Sequence, residues 1–300
     1  MRLIRPTEGL VLASLVVTAT ACGNDSGFNL RRLDSIGVTV GDFDNVQESF
    51  NRMEVDTVRY DGIISTATWV EDEDDFTAPT LSVEGLFFSE RNQELLDHGA
   101  LFVASGTRGF GERQYNSLQP DDQIVGDPEA VENAKAFVGA GGVLFVTDWS
   151  YDIVTRAFPG NIDFLGSEGT LDGAQRGEIG RVTARVVDEQ LAEALDVEQL
   201  SLTYNFSNWA VMEDVIDEDN VRVWLRGDVS YRDSEGGGTI DLTDVPLLAS
   251  IDVGGDFGGE VVVSTFHLDA QNPAVVDTML TTIVGEFELE TVVQQSGETE

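Results

Sequence analysis

One cysteine, Cys22, one lysine, Lys135, and two histidines, His98 and His267, are all that 300 residues offer of four side chains central to covalent and metal chemistry. A single cysteine permits no internal disulfide. Its place near the N-terminus leaves the rest of the chain without a thiol nucleophile or a cysteine-based zinc site. Long apolar runs are missing too: residues 9–21 fall short of the roughly 20 residues that cross a bilayer. Cations are scarce, with 17 Lys plus Arg against 55 Asp plus Glu and a net charge of -38. Such a surface repels phosphate backbones, which excludes nucleic acid as a partner. The recognisable ligand loops are absent as well. Gly236-Gly237-Gly238 lacks the lysine and following helix of a phosphate loop, and Glu71-Asp72-Glu73-Asp74-Asp75 lacks the glycine and spaced ligands of an EF-hand. Neither a metal nor a cofactor is expected.

What is present begins with Arg2 and Arg5, an apolar stretch over residues 9–18, and the junction Ala19-Thr20-Ala21-Cys22. This resembles the lipobox of bacterial lipoproteins, with Ala19 where leucine is usual. The resemblance implies a signal peptide over residues 1–21, an acylated Cys22, and a polar linker to residue 34. Each buried acyl methylene contributes about 0.8 kcal/mol, so the partner of Cys22 would be the lipid bilayer. Gly23 after the cysteine, rather than aspartate, is similar to lipoproteins sent to the outer membrane. Ala19-Thr20-Ala21 also suits ordinary cleavage after Ala21, giving a secreted or periplasmic protein instead. The acidic balance fits a proteome adapted to salt.

Residues 35–290 read as one α/β domain, followed by a polar tail at 291–300. Apolar runs at 36–40, 57–60 and 100–105 alternate with helical patterns at 46–53 and 90–97, as a parallel sheet requires. Residues 61–84 show no period and read as a loop. Asp127-Pro128 gives an N-cap followed by a proline in the first helical position, and Val131, Ala134, Phe137 and Val138 share one face. Gly139 to Gly142 end that helix before the strand Val143-Leu144-Phe145-Val146. Thr147-Asp148-Trp149-Ser150-Tyr151-Asp152 then stands at the carboxyl end of the strand, where open α/β sheets gather their ligands. Further on, strands are expected at 179–187, 200–209 and 221–226, with a short helix at 190–195. Residues 247–253 and 260–266 form an antiparallel pair across a turn at 254–259.

The run from Phe137 through Gly141-Gly142 to Asp148-Trp149 resembles the helix, Gly-Gly, strand and elbow of class I glutamine amidotransferase-like proteins, particularly their ThuA-like relatives. A second similar stretch is Gly259-Glu260-Val261-Val262-Val263-Ser264-Thr265-Phe266-His267 with a helix over 273–284. The resemblance implies a three-layer, flavodoxin-like α/β domain with a mainly parallel sheet and an antiparallel extension in the C-terminal half. It does not by itself imply catalysis. Where the family would place a cysteine the strand runs into Asp148, so glutaminase chemistry by that route is excluded. Ser150 lacks the Gly-x-Ser-x-Gly surroundings of a nucleophile elbow.

The candidate site residues are therefore few. Asp148 and His267 are the acid/base candidates if both strand ends meet, with a hydrogen-bonded histidine closing the strand end as the competing reading. Trp149, Ser150 and Tyr151 are the ligand-binding candidates, and Trp149, Tyr151 and Trp209 would make an aromatic saccharide platform if they shared a cleft. His98, after Leu95-Leu96-Asp97, is expected to end a helix and meet its dipole. Three functions follow: a lipid-anchored binding or interaction module, an envelope hydrolase or lyase on a saccharide or polar small molecule using Asp148 and His267, or a purely structural lipoprotein.

Overall fold

The computed structural model describes residues 35–62, 81–88, 92–111, 124–206, 209–234, 236–254 and 259–285. Cys22 with its flanking leader and linker, the acidic run 71–75 and the tail 291–300 lie outside them. Among the described residues no helix is long and apolar enough to cross a membrane.

In chain order the elements are β1 (Ile36–Val40), α1 (Val46–Arg52), β2 (Val58–Asp61), β3 (Leu81–Ser82), α2 (Val83–Leu86), α3 (Asn92–Leu96) and β4 (Ala100–Val103). There follow α4 (Pro128–Gly139), β5 (Val143–Thr147), α5 (Asp152–Ala157), β6 (Ile162–Phe164), β7 (Arg176–Gly177), β8 (Gly180–Val186) and α6 (Glu189–Leu195). The chain continues through β9 (Gln199–Tyr204), β10 (Trp209–Ala210), β11 (Met212–Val215), β12 (Val221–Arg232), β13 (Thr239–Asp252), β14 (Glu260–Ser264) and α7 (Pro273–Val284).

The parallel part of the sheet runs β3-β2-β1-β4-β5-β14. From β14 the pairing turns antiparallel through β13 and β12, and beyond β12 it branches to β8 with β9, and to β7 with β10. The expected class holds: a mainly parallel α/β sheet with an antiparallel extension. A separate ribbon pairs β6 with β11. Because β14 lies directly beside β5, everything from β6 to β13 is inserted between two neighbouring strands.

Apolar residues alternate between two faces along the central strands, as a sheet covered on both sides demands. Leu101, Val103, Leu144, Val146, Val261 and Val263 pack toward α4 and α5. Ala100, Phe102, Val143, Phe145 and Val262 pack toward α1 and α7. Asp127 caps α4 by accepting the Glu129 N–H at 2.8 Å, and Asn272 caps α7 through the Ala274 N–H at 3.0 Å. Each is followed by proline at the first helical position, where the missing N–H costs no hydrogen bond.

Several elements differ from expectation. The strand read at 221–226 continues to Arg232, and the one read at 247–253 begins at Thr239, so the two form a long hairpin whose turn holds Gly237 at φ 70°. The stretch 200–209 is two strands, because Asn205 and Phe206 leave the sheet edge. The run read as loop over 61–84 contains β3 and the start of α2.

Two loops that follow β1 and β4 are pressed together at the carboxyl end of the sheet. Asp42 N–H bonds the Gly106 carbonyl and Phe43 N–H bonds that of Ser105, each at 3.3 Å. A methyl group on Gly41 would lie 2.3 Å from the Ser105 carbonyl oxygen, with backbone rather than a movable side chain in the way. Gly41→Ala is expected to lower the urea midpoint by an amount equivalent to about 1–3 kcal/mol, the usual range for overpacking.

Candidate functional site

Asp148 follows the last residue of β5 with φ at 48°, a left-handed conformation that aspartate tolerates better than most side chains. This sharp turn lifts its carboxylate across the sheet end. His267 directly follows Thr265 and Phe266, beyond the end of β14 at Ser264, and its Nε2 lies 3.0 Å from Asp148 Oδ2. The two strand ends therefore meet, as neighbouring parallel strands allow.

Each polar atom of the pair has a partner. Asp148 Oδ1 accepts the Ala210 N–H at 2.7 Å, and Ser105 Oγ stands 3.4 Å from Oδ2, a long contact. On the other side His267 Nδ1 is 3.1 Å from Asn205 Oδ1. With a carboxylate on one nitrogen and an amide oxygen on the other, the ring donates from both, which describes an imidazolium. Asp148 is 3 % exposed and His267 4 %.

The electrostatics agree. Burial alone would lower the His267 pKa, but the Asp148 hydrogen bond and charge, with Asp44 and Asp269, push it up to about 9. Burial pushes the Asp148 carboxyl up, opposed by the bonds from His267 and Ala210. The pair thus keeps one proton at neutral pH, held between Oδ2 and Nε2. Asp44 and Asp269 tie the same corner together: Asp44 accepts the N–H groups of Leu268 and Asp269, both at 3.1 Å, while the Asp269 carboxyl accepts that of Asn45. Burial and the neighbouring Asp44 charge push Asp269 up to about 6.

The other candidates are not brought to a shared cleft. Ser150 Oγ donates to the Ala104 carbonyl at 3.1 Å, and Tyr151 Oη accepts the Ala174 N–H at 3.0 Å. Trp149, Ser150 and Tyr151 are all buried. Trp149 and Tyr151 pack in the core half around α4 and α5, with Tyr151 against Phe164. Trp209 packs in the opposite half, its ring 4.2 Å from that of Tyr204. The aromatic saccharide platform is therefore not assembled, because the sheet itself separates these rings.

His98 also corrects its sequence reading. It lies past the end of α3, and its ring turns inward to Ser35 and Tyr60 rather than along the helix axis. Burial lowers its pKa against the opposing charges of Glu94 and Asp97, so it is a neutral ring and not a cation on a helix dipole.

Sequence reasoning missed Asn205 and Ala210, which hydrogen-bond the pair, and Asp44, whose charge acts on it while its carboxylate holds the Leu268 and Asp269 N–H groups. It also passed over Asp152, whose side chain is fully buried at the start of α5. Its Oδ2 accepts the Asp172 N–H at 2.9 Å, while Oδ1 has no hydrogen-bond partner. Among the described residues no group of three or more His, Cys, Asp or Glu is placed to hold a metal ion.

No family model matches the chain, and no curated protein does. Solved structures similar in chain path include a putative ThuA-like protein from Bacteroides uniformis, at 7 % identity and TM-score 0.49, covering 87 % of this chain and 94 % of that one. The mmIFT52 N-terminal domain matches at 11 % identity and TM-score 0.49, over 83 % and 96 %. The glutaminase domain of Trypanosoma brucei CTPS, solved with acivicin, matches at 12 % and 0.44, over 84 % and 95 %. The likeness is one of fold. What those proteins bind or catalyse belongs to them.

Proposed function

We propose that this chain is a lipid-anchored protein of the cell envelope whose amidotransferase-like domain serves as a binding or interaction module and performs no chemistry at its elbow. The observation that supports this most directly is the closure of the Asp148–His267 pair. A general base needs a free lone pair and a path to substrate. Here both ring nitrogens and both carboxylate oxygens face partners inside the protein, and neither residue reaches solvent appreciably. The same facts weigh against the hydrolase or lyase reading.

What a partner would meet is the rim over the pair. Phe206 is 45 % exposed, lies edge-on to Phe43 with ring centroids 5.6 Å apart, and leans on the His267 ring at 5.4 Å. Asn205 and Asp269 are exposed beside it.

Two measurements test the proposal. Full-length protein expressed in a bacterial host should partition into the detergent phase of a membrane extract, and Cys22→Ser should move it to the aqueous phase; equal partition of the two would remove the anchor. Purified protein incubated with L-glutamine and with chromogenic glycosides should release neither ammonia nor chromophore above buffer. Turnover abolished by Asp148→Asn would instead establish an elbow enzyme.

A further inference from the structure

We propose that Ser35 is a reactive site away from the elbow, a nucleophile toward acyl esters that His98 activates at the N-terminal end of the sheet. This site is independent of the elbow reading, because Ser35 precedes β1 whereas Asp148 follows β5, and the two strands run parallel on either side of β4.

The case is a hydrogen-bond chain with one consistent direction. Glu94 carries a carboxylate that can only accept, so the Tyr60 phenol donates its proton to Oε1 at 3.1 Å. The Tyr60 oxygen then accepts from His98 Nε2, 2.7 Å away. That fixes the tautomer: Nε2 is protonated and Nδ1 keeps its lone pair. Ser35 Oγ lies 2.8 Å from Nδ1 and donates into it. Serine, imidazole, phenol and carboxylate thus form the nucleophile, base and orienting groups of an activated hydroxyl.

The surroundings are built for the ring. Gly37 has no side chain where a methyl would stand 3.1 and 3.2 Å from His98 ring atoms and 2.8 Å from Leu101 Cδ1. The Ser35 carbonyl accepts the Gly99 N–H at 2.9 Å, which holds the serine backbone against the residue after His98. His98 is buried and held neutral by that burial, so it is available as a base at neutral pH. Ser35 itself is half-buried and so retains access to solvent.

The chemistry balances within these groups. Ser35 Oγ forms a bond to the ester carbonyl carbon as its proton passes to His98 Nδ1. The carbon–oxygen bond to the leaving alcohol breaks, and that alcohol takes the proton from the imidazolium. Water then attacks the acyl-serine, giving one proton to His98, which returns it to Ser35 Oγ as the carboxylic acid departs.

A fluorophosphonate probe and p-nitrophenyl acetate test this on the full chain, read by intact mass, peptide mapping and p-nitrophenol release from pH 5 to 9. The expected result is one phosphonyl adduct on the peptide bearing Ser35, lost in Ser35→Ala. Tyr60→Phe keeps the packed ring but removes the acceptor for Nε2–H, and should slow labelling at least tenfold while the circular dichroism spectrum is unchanged. Absence of an adduct on Ser35, or an unchanged rate in folded Tyr60→Phe, overturns the proposal.

Discussion

Asp148→Ala is expected to destabilise the domain by about 3–5 kcal/mol, the usual cost of stripping the partner from a buried charge. The substitution leaves the His267 imidazolium buried with Asn205 on one nitrogen and nothing on the other, and it orphans the Ala210 N–H. Alanine also tolerates φ 48° poorly. Asp148→Asn separates these causes. It keeps an acceptor for Ala210 and a side chain suited to the left-handed turn while removing the charge, so its loss should be smaller. The pH dependence carries the sign. The folded-state pKa of His267 lies above its ordinary value, at about 9, so its contribution is fully present below pH 6.5 and fades as pH rises through 9. Urea denaturation at pH 6 and pH 9.5 measures this. Wild type should lose more stability between the two than Asp148→Asn does, and identical pH slopes would show that no ionic pair exists.

The second large effect has the opposite direction. Asp152→Asn should stabilise the protein at alkaline pH. Burial, partly offset by the Asp172 N–H, pushes the Asp152 carboxyl up to about 8, so the folded state holds a proton that the unfolded state releases near pH 4. Stability from this group is therefore complete below about pH 4 and is lost as pH rises through 8, a difference on the order of 5 kcal/mol when fully expressed. Asparagine cannot ionise, and its amide oxygen still serves the Asp172 N–H. With a net charge of -38, many other carboxylates also shape the pH profile. The difference between variant and wild type cancels that background. Melting curves at pH 4, 6, 8 and 9.5 should diverge progressively in favour of Asp152→Asn, and parallel curves would mean that the buried carboxyl costs nothing.

The regular elements of the fold were legible because local chemistry alone fixes them. Asp127-Pro128 and Asn272-Pro273 start helices wherever they precede an apolar face, and Val143 to Val146 is apolar throughout because both sides of the sheet are covered. The meeting of Asp148 and His267 was foreseen as a conditional, since both follow strands, and the pairing of β5 with β14 supplies the condition. The rest depends on distance in sequence. Asn205 and Ala210 reach the pair only because β9 and β10 fold back, and no period in the sequence encodes that return. The positive φ of Asp148 was equally silent, as aspartate fits ordinary turns too. His98 misled because a histidine at a helix end is most simply a cation on the dipole, whereas Ser35 and Tyr60 receive it as a neutral ring.

The insertion of β6 to β13 between two adjoining parallel strands governs how this chain is made. Synthesis from the N-terminus delivers β1, β2, β4 and β5 early, but the strand that covers the flank of β5 is complete only once Ser264 has emerged. Until then Val143 to Val146 border an open edge, and the antiparallel hairpin of β12 and β13 must either form beside it unattached or wait. Such long-range closure is slow and exposes aggregation-prone surface. A nascent chain stalled before residue 260 would therefore be the species that needs a chaperone, and truncations ending in the hairpin should accumulate as insoluble protein.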